Sequence, residues 1–370
     1  MLPPLLFLTI FFSLYFLMHL YLYLRLPKKK SFIPFLLLIA FLSPIFIRLS
    51  DHYLSPRLSF VIAFASLSWM GFLLYFVVID LSLRLFVKRI FISLLLTLLL
   101  SFYSFYETLR PETYLIEFPS VKLPEKIESF RILHFSDVHL GPVMGLDKIE
   151  WIKKAVSEYK PHLIVSTGDL VDGNMENREY LKRALKELNA PYGKYAVPGN
   201  HEYYRGIEKA LVFTEEAGFT LLRGECLEIE NFLIICGLDD DDCRYFKKCK
   251  GPLEERELLT NLPQDKFILL LKHKPKVEKE ALGLFDLMLS GHTHGGLYYP
   301  FGKWLLKIFF KLEYPGFHYL GKGSYLFVSK GIGTGGPPMR FLSPPDLAII
   351  ELKADQKASL PVLQVLSNLP

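Results

Sequence analysis

The chain has 370 residues, 51% of them hydrophobic and 22% charged, with a formal net charge of +5. A mean hydropathy of +0.26 excludes disorder and is too apolar for an ordinary soluble protein. Residues 1–106 hold nine Lys/Arg against two Asp/Glu, and residues 107–370 hold 34 against 36, so the basic balance belongs to the apolar front and a basic nucleic-acid-binding domain is excluded.

Four apolar runs open the chain, at 2–24, 31–47, 58–79 and 90–106. Each approaches the roughly 20 residues a helix needs to cross a bilayer, and none has a polar face to show water. They predict four transmembrane helices over residues 1–107. The first run lacks a basic leader and a small-residue cleavage site, so it reads as a span and not as a cleaved signal. Arg25, Lys28, Lys29 and Lys30 follow the first run, and Arg84, Lys88 and Arg89 the third; between them Arg48 and Arg57 are offset by Asp51. The positive-inside rule puts the first and third connectors in the cytoplasm and both chain ends outside. The expectation is a multi-pass integral membrane protein whose C-terminal domain is extracytoplasmic.

Residues 108–128 mix Pro with charge and read as a linker. From Arg131 short β-rich runs alternate with amphipathic stretches. Strands are predicted at 131–136, 162–167 and 194–199, with helices at 146–159, 177–188 and 206–218. A hairpin-like pair covers 220–237, and further strands fall at 267–272, 285–290, 325–330 and 346–352. This is an α/β domain over 129–353 with helices outside a layered sheet, followed by a tail at 354–370.

Polar residues cluster just after the apolar strands: Asp137 and His139, then Asp169 and Asp172, then Asn200, His201 and Glu202, then His273, then His292 and His294. Open sheets bind ligands beyond the carboxyl ends of their strands, so five strand ends deliver one constellation. Carboxylate, amide oxygen and imidazole together suit divalent ions of the Mn²⁺, Fe²⁺ or Zn²⁺ class. No Cys is in the set, which excludes a structural zinc site. A carboxylate such as Asp169 can bridge two ions, and two ions ~3.5–4 Å apart can clamp a phosphoryl group and activate the water between them.

The ordered set D-x-H, GD-x-x-D, GNH-E, H and GH-x-H resembles the calcineurin-like metallophosphoesterases over about residues 130–352. HTHGG, VSKGIGTGGPPMRF and PPDLAIIEL are similar to the membrane-associated bacterial branch of that superfamily. Leu297 stands where the branch often has Gln, and Asp346 where it often has Glu. The resemblance implies a four-layer α/β/β/α sandwich behind the transmembrane helices. It implies two divalent ions, one on Asp137, His139, Asp169 and His294, the other on Asp169, Asn200, His273 and His292. It makes His201 the substrate-facing catalytic histidine, oriented by Asp172. The expected reaction is hydrolysis of a phosphate ester by a metal-bridging hydroxide, without a covalent enzyme intermediate, on a phosphodiester or a lipid-linked substrate. A pyrophosphatase acting on a UDP-diacylglucosamine-type lipid is an alternative that needs a cytoplasmic site. A non-catalytic membrane receptor that retains the fold is an alternative of another class, against which the intact residue set argues.

Arg340 is a candidate contact for substrate phosphate or a structural ion-pair partner. His134 and His162 lie in or at strands and read as structural, and His318 lies apart from the ligand set. Trp304, Phe309, Phe310, Tyr314 and Phe317 interleave with Lys303, Lys307 and Lys311 in a basic amphipathic pattern that fits either a membrane interface or a cap on the sheet. The four cysteines allow three pairings, and a Cys243–Cys249 bridge fits an extracytoplasmic domain. Asp239 to Asp242 read as a solvated acidic turn in preference to a third metal site.

Overall fold

This computed structural model describes residues 4–26, 32–84, 90–296, 312–355 and 359–366. The chain divides into two compact units, Met1–Tyr106 with Gly336–Met339, and Glu107–Gly335 with Arg340–Pro370.

The first unit contains α1 (Pro4–Arg25), α2 (Ile33–Phe41), α3 (Ser43–Tyr53), α4 (Pro56–Leu83) and α5 (Ile90–Glu107). Helices α1, α4 and α5 are long and apolar enough to cross a membrane, and α2 with α3, bent by 55°, makes a fourth span if the pair counts as one. The bend has a local cause. Pro44 lacks the amide that would reach back to Ala40, and Tyr15 Oη donates to the Ala40 carbonyl at 3.1 Å. The charged and imidazole groups of Asp80 and His19 inside this unit are paired, as a low-dielectric setting demands. Buried Asp80 accepts from Arg25 Nε at 2.6 Å, Arg25 Nη2 at 3.1 Å, Tyr21 Oη at 2.6 Å and Ser93 Oγ at 2.7 Å. His19 lies between the Tyr15 carbonyl and the Trp69 indole N–H, at 2.8 and 3.0 Å.

The second unit has, in chain order, β1 (Glu112–Ser120), β2 (Phe130–Phe135), α6 (Leu146–Tyr159), β3 (Leu163–Thr167), α7 (Glu179–Lys186), β4 (Lys194–Val197), α8 (Asn200–Arg205), α9 (Ile207–Glu216), β5 (Thr220–Leu221), β6 (Glu225–Glu230) and β7 (Leu233–Gly237). Then come α10 (Cys243–Phe246), α11 (Glu255–Leu259), β8 (Phe267–Leu271), β9 (Leu287–Ser290), β10 (Gly316–Gly321), β11 (Ser324–Val328), β12 (Asp346–Ala354) and β13 (Val362–Leu366). One sheet has the order β13-β1-β12-β2-β3-β4-β5 and the other β10-β11-β9-β8-β7-β6. Strands β2 to β5 are mutually parallel, as are β7, β8, β9 and β11.

Alternation along each strand builds the layers. Ile116, Ile132 and Val165 of the first sheet pack against Leu233, Leu269, Leu289 and Phe327 of the second. The opposite face of the first sheet, with Leu133, Phe135 and Ile164, packs on Ile149 and Ile152 of α6, Leu181 of α7 and Phe213 of α9. Ile234, Ile268 and Met288 of the second sheet cover Leu259 of α11 and Phe285. The result is the expected α/β/β/α sandwich. Each buried side chain of this size contributes roughly 1.5–3 kcal/mol, and the inter-sheet layer fixes where the strand ends fall.

Three expectations need correction. Residues 112–120 of the expected linker are strand β1, parallel to β12 with Ile116 opposite Ile350. Glu112, Glu117 and Pro119 disguise its pattern, but Ile116 and Phe118 are buried between the sheets. The expected tail carries β13, antiparallel to β1. The acidic turn is not solvated: Asp239, Asp240 and Asp242 are buried, because Arg223 pairs with Asp239 at 2.7 Å and Lys274 with Asp240 at 2.9 Å and Asp242 at 2.6 Å. Most of the basic aromatic segment falls at 297–311, outside the described residues. Disulfides join Cys243 to Cys249, and Cys226 to Cys236 across the β6–β7 hairpin.

Candidate active site

The site forms where parallel strands of both sheets end. Asp137 and His139 follow β2, Asp169 and Asp172 follow β3, and Asn200 and His201 open α8 after β4. From the second sheet, His273 follows β8, and His292 and His294 follow β9. Main-chain bonds tie the first two loops together: Asp137 N donates to Gly168 O at 3.0 Å and His139 N to Asp169 O at 2.9 Å.

Asp137, His139, Asp169, His292 and His294 all have left-handed backbone, with φ between 48° and 71°. That conformation costs a non-glycine residue on the order of 1–2 kcal/mol. Five such residues in one cluster is strain held at a functional site, and it turns the side chains toward a common centre. Close approach demands glycine beside them. A Cβ on Gly291 would lie 2.1 Å from Asp137 Oδ2, and one on Gly333 2.1 Å from the Val138 carbonyl oxygen.

The side chains fall into two groups joined at Asp169. In the first, Nε2 atoms of His139 and His294 are 3.0 Å apart, with Asp137 Oδ1 3.5 Å from His294 Nε2 and Asp169 Oδ2 3.7 Å from His139 Nε2. In the second, His273 Nε2 is 3.2 Å from Asp169 Oδ2, 3.1 Å from Asn200 Oδ1 and 3.1 Å from His292 Nδ1. Within each of the sets Asp137/His139/His294 and Asp169/His273/His292, ligand atoms lie within 4.8 Å of one another.

The electrostatics fit cation binding. Burial, then the neighbouring His273, hold the His292 ring well below its ordinary pKa, and burial, then His139 and Arg340, do the same to His294. Both rings are therefore electron-pair donors at neutral pH. Burial would raise Asp169, but His273, His201 and His139 outweigh it and hold the carboxyl well below its usual range. Burial opposes charge on His273, yet Asp169 and Asp137 raise it to about 10. A proton there occupies the place a divalent ion would take. Imidazole, carboxylate and amide oxygen without thiolate form the donor set expected for a borderline divalent ion, so the residues fit metals.

Beside the first group, His201 Nδ1 lies 2.9 Å from Asp172 Oδ1. Burial disfavours the charged ring, but Asp172 and Asp169 raise it to about 9. Its backbone N–H donates to Asp169 Oδ1 at 2.9 Å. Sequence reasoning assigned no role to Glu202. Its carboxylate accepts the N–H groups of Gly199, Asp169 and Val171 at 2.8, 3.0 and 2.9 Å, locking two ligand loops together. A Glu three residues after the helix-capping Gly199 was the available signal. Sequence reasoning also missed Arg205, whose Nε donates to Asp172 Oδ1 at 2.8 Å.

Arg340 is fully buried, as its structural alternative expects and a phosphate contact does not. Carbonyls of Lys330, Gly331, Gly333 and Ser343 converge on its guanidinium at 2.5–3.0 Å, and His294 Nδ1 is 3.2 Å away. The glycine-rich stretch thus packs on the site and is anchored from behind. His134 and His162 are structural, bonded to Thr167 Oγ1 at 2.8 Å and by the Arg131 N–H at 2.9 Å. His318 in β10 meets the Tyr314 carbonyl at 2.7 Å and lies outside the set.

Comparison with known proteins places this arrangement. The model of the calcineurin-like phosphoesterase family matches residues 130–296. An uncharacterized metallophosphoesterase of Aquifex aeolicus is 48% identical over 70% of this chain and 98% of its own length. One from Helicobacter pylori is 32% identical over 81% of each chain. A zebrafish (Danio rerio) transmembrane protein with metallophosphoesterase domain is 27% identical over 72% of this chain and 63% of its own. The chain belongs to the calcineurin-like metallophosphoesterase family. Its apolar helices make it a membrane protein.

Proposed function

We propose that this chain is a membrane-anchored, metal-dependent phosphoesterase whose catalytic unit faces the extracytoplasmic side. The observation that carries the reading is the pair of ligand groups joined at Asp169, with His201 and Asp172 at their rim. Asp137, His139, Asp169 and His294 would hold one divalent ion, and Asp169, Asn200, His273 and His292 the other. When bound, such ions polarise the phosphoryl group and activate water.

The chain's own residues orient the substrate and move the proton. Asp172 fixes the His201 ring through Nδ1, which leaves Nε2 for the substrate. His201 donates a proton to the leaving oxygen as its bond to phosphorus breaks. A water oxygen forms the new bond to phosphorus and loses one proton to solvent, so a monoester gives phosphate, a diester gives a monoester, and each frees the alcohol without a covalent enzyme intermediate.

Three observations support the orientation. Arg25 at the end of α1 pairs with Asp80 near the end of α4, so these helices run parallel and their C-terminal ends share a side. The chain reaches that arrangement only if the bent α2–α3 pair crosses once. Helix α5 then returns, which puts the N-terminus and the catalytic unit on one side. The basic residues after α1 and α4 favour cytoplasmic connectors. Two disulfides and no free cysteine suit an oxidising compartment. Only residues 108–111 separate α5 from β1, so a phosphate ester carried by a lipid is the substrate class this anchoring favours.

The test is hydrolysis by the detergent-solubilised full chain, supplied with Mn²⁺, of 4-nitrophenyl phosphate, bis(4-nitrophenyl) phosphate and a phospholipid monoester in mixed micelles. Chelator-sensitive cleavage is expected. Failure on all three contradicts the phosphoesterase reading, and preference for the soluble esters contradicts the lipid class alone.

A further inference from the structure

We propose that Arg205 is an anion subsite that receives a second phosphoryl group on the leaving side of the substrate, so that diphosphates are the preferred substrate class. This rests on the phosphoesterase reading above. Asp172 Oδ1 accepts from both His201 Nδ1 at 2.9 Å and Arg205 Nε at 2.8 Å. The guanidinium is therefore fixed to the oxygen that orients the proton donor to the leaving group. Only Nε is engaged; both Nη groups lack a partner among the described residues. The side chain is 29% exposed, beside His201 at 24%, so the free fork lies at the open rim.

The local structure holds it there. His201 and Arg205 stand four residues apart on α8, one turn along the same face, and the helix ends at Gly206, where φ is 107°. A guanidinium anchored through Nε with its fork free is built for bidentate phosphate recognition. Arg223 and Arg340 differ: Nη2 of Arg223 is directed at Asp239, Tyr203 and the Lys248 carbonyl, and both Nη groups of Arg340 at main-chain carbonyls. The other oxygen of Asp172 lies 3.4 Å from His139 Nδ1.

With a diphosphate, water oxygen bonds to the terminal phosphorus, releasing one proton to solvent, and the bond from that phosphorus to the bridging oxygen breaks. The bridging oxygen leaves with the inner phosphate and takes the His201 proton. Charge on that departing phosphate is what Arg205 would hold.

The experiment compares kcat/KM for ADP and 4-nitrophenyl phosphate, using the full chain with Mn²⁺ in detergent, for wild type, Arg205→Gln and Arg205→Lys. Wild type should favour ADP. Arg205→Gln should lower the ADP-to-aryl ratio by about tenfold or more, the worth of a charged hydrogen bond, mainly through KM, and Arg205→Lys should restore part of it. Equal losses on both substrates, with the ratio unchanged, would mean that Arg205 only positions Asp172 and would overturn the inference. A wild type that cleaves the aryl ester and not ADP overturns it as well, leaving the phosphoesterase reading intact. Cleavage of neither substrate overturns the inference, and overturns the phosphoesterase reading with it only if bis(4-nitrophenyl) phosphate and the phospholipid monoester are also left intact.

Discussion

His139 and His294 face each other through their Nε2 atoms at 3.0 Å, with ring planes inclined by 28°. Two neutral imidazoles so placed share one proton at best, whereas a cation accepts both electron pairs. The pair comes from β2 and β9, strands of different sheets, so the sandwich itself creates the site. Its tolerance for distortion is small. Gly291→Ala would drive a methyl group into Asp137, a clash that costs about 1–3 kcal/mol when overpacked. Metal content and melting temperature should both fall; unchanged metal content would show that the loop relaxes away from Asp137.

His201 should be separable from the ligands. His201→Asn should retain bound metal while turnover drops by about 10²- to 10⁴-fold. Parallel loss of metal, measured by elemental analysis, would make it a ligand instead.

Asp172 sets the working pH of that histidine. Asp172→Asn removes the anion that raises the His201 ring, so the ring loses its proton at lower pH. The alkaline limb of the kcat profile should move to lower pH, with turnover reduced by about ten- to a hundredfold. An unmoved limb would detach Asp172 from this role.

His134 gives a pH dependence of stability. Burial holds the ring at about 3, against an ordinary 6.5. The unfolded chain therefore takes up a proton below about pH 6.5 that the folded chain refuses until about pH 3, and stability falls as pH drops through that window. At pH 4.5 the loss through this group is on the order of 3 kcal/mol. His134→Gln should flatten the acid side of a melting-temperature profile relative to wild type; parallel profiles would contradict the assignment.

The site's candidate ligands were legible in the sequence because each group of them follows an apolar strand closely. Helices and most strands were legible for the same local reason. What the sequence hid depends on distant partners. Strand β1 needs β12 and β13 beside it before its Glu and Pro residues make sense. The acidic turn is buried only because Lys274 and Arg223 reach it. Arg340 read equally as a phosphate contact or a structural ion-pair partner, and only the carbonyls of Lys330, Gly331 and Gly333 around it separate the two. Arg205 was accessible in principle from its four-residue spacing to His201.

The orientation predicts oxidised cysteines. An alkylating reagent applied without reductant should label none of Cys226, Cys236, Cys243 and Cys249, and a reporter active only outside the cytoplasm should function when fused after Pro370. Labelled thiols with a silent reporter would put the catalytic unit in the cytoplasm.

The most direct test of the central claim is the metal content of the full-length chain, measured beside phosphatase activity for wild type and Asp169→Asn. Among the described residues, Asp169 alone stands in both ligand groups. The account predicts about two divalent ions per wild-type chain, and for Asp169→Asn a loss of bound metal together with activity reduced by about a thousandfold or more. Wild-type activity in Asp169→Asn, or a fully active wild-type chain with no more than one ion, would contradict it.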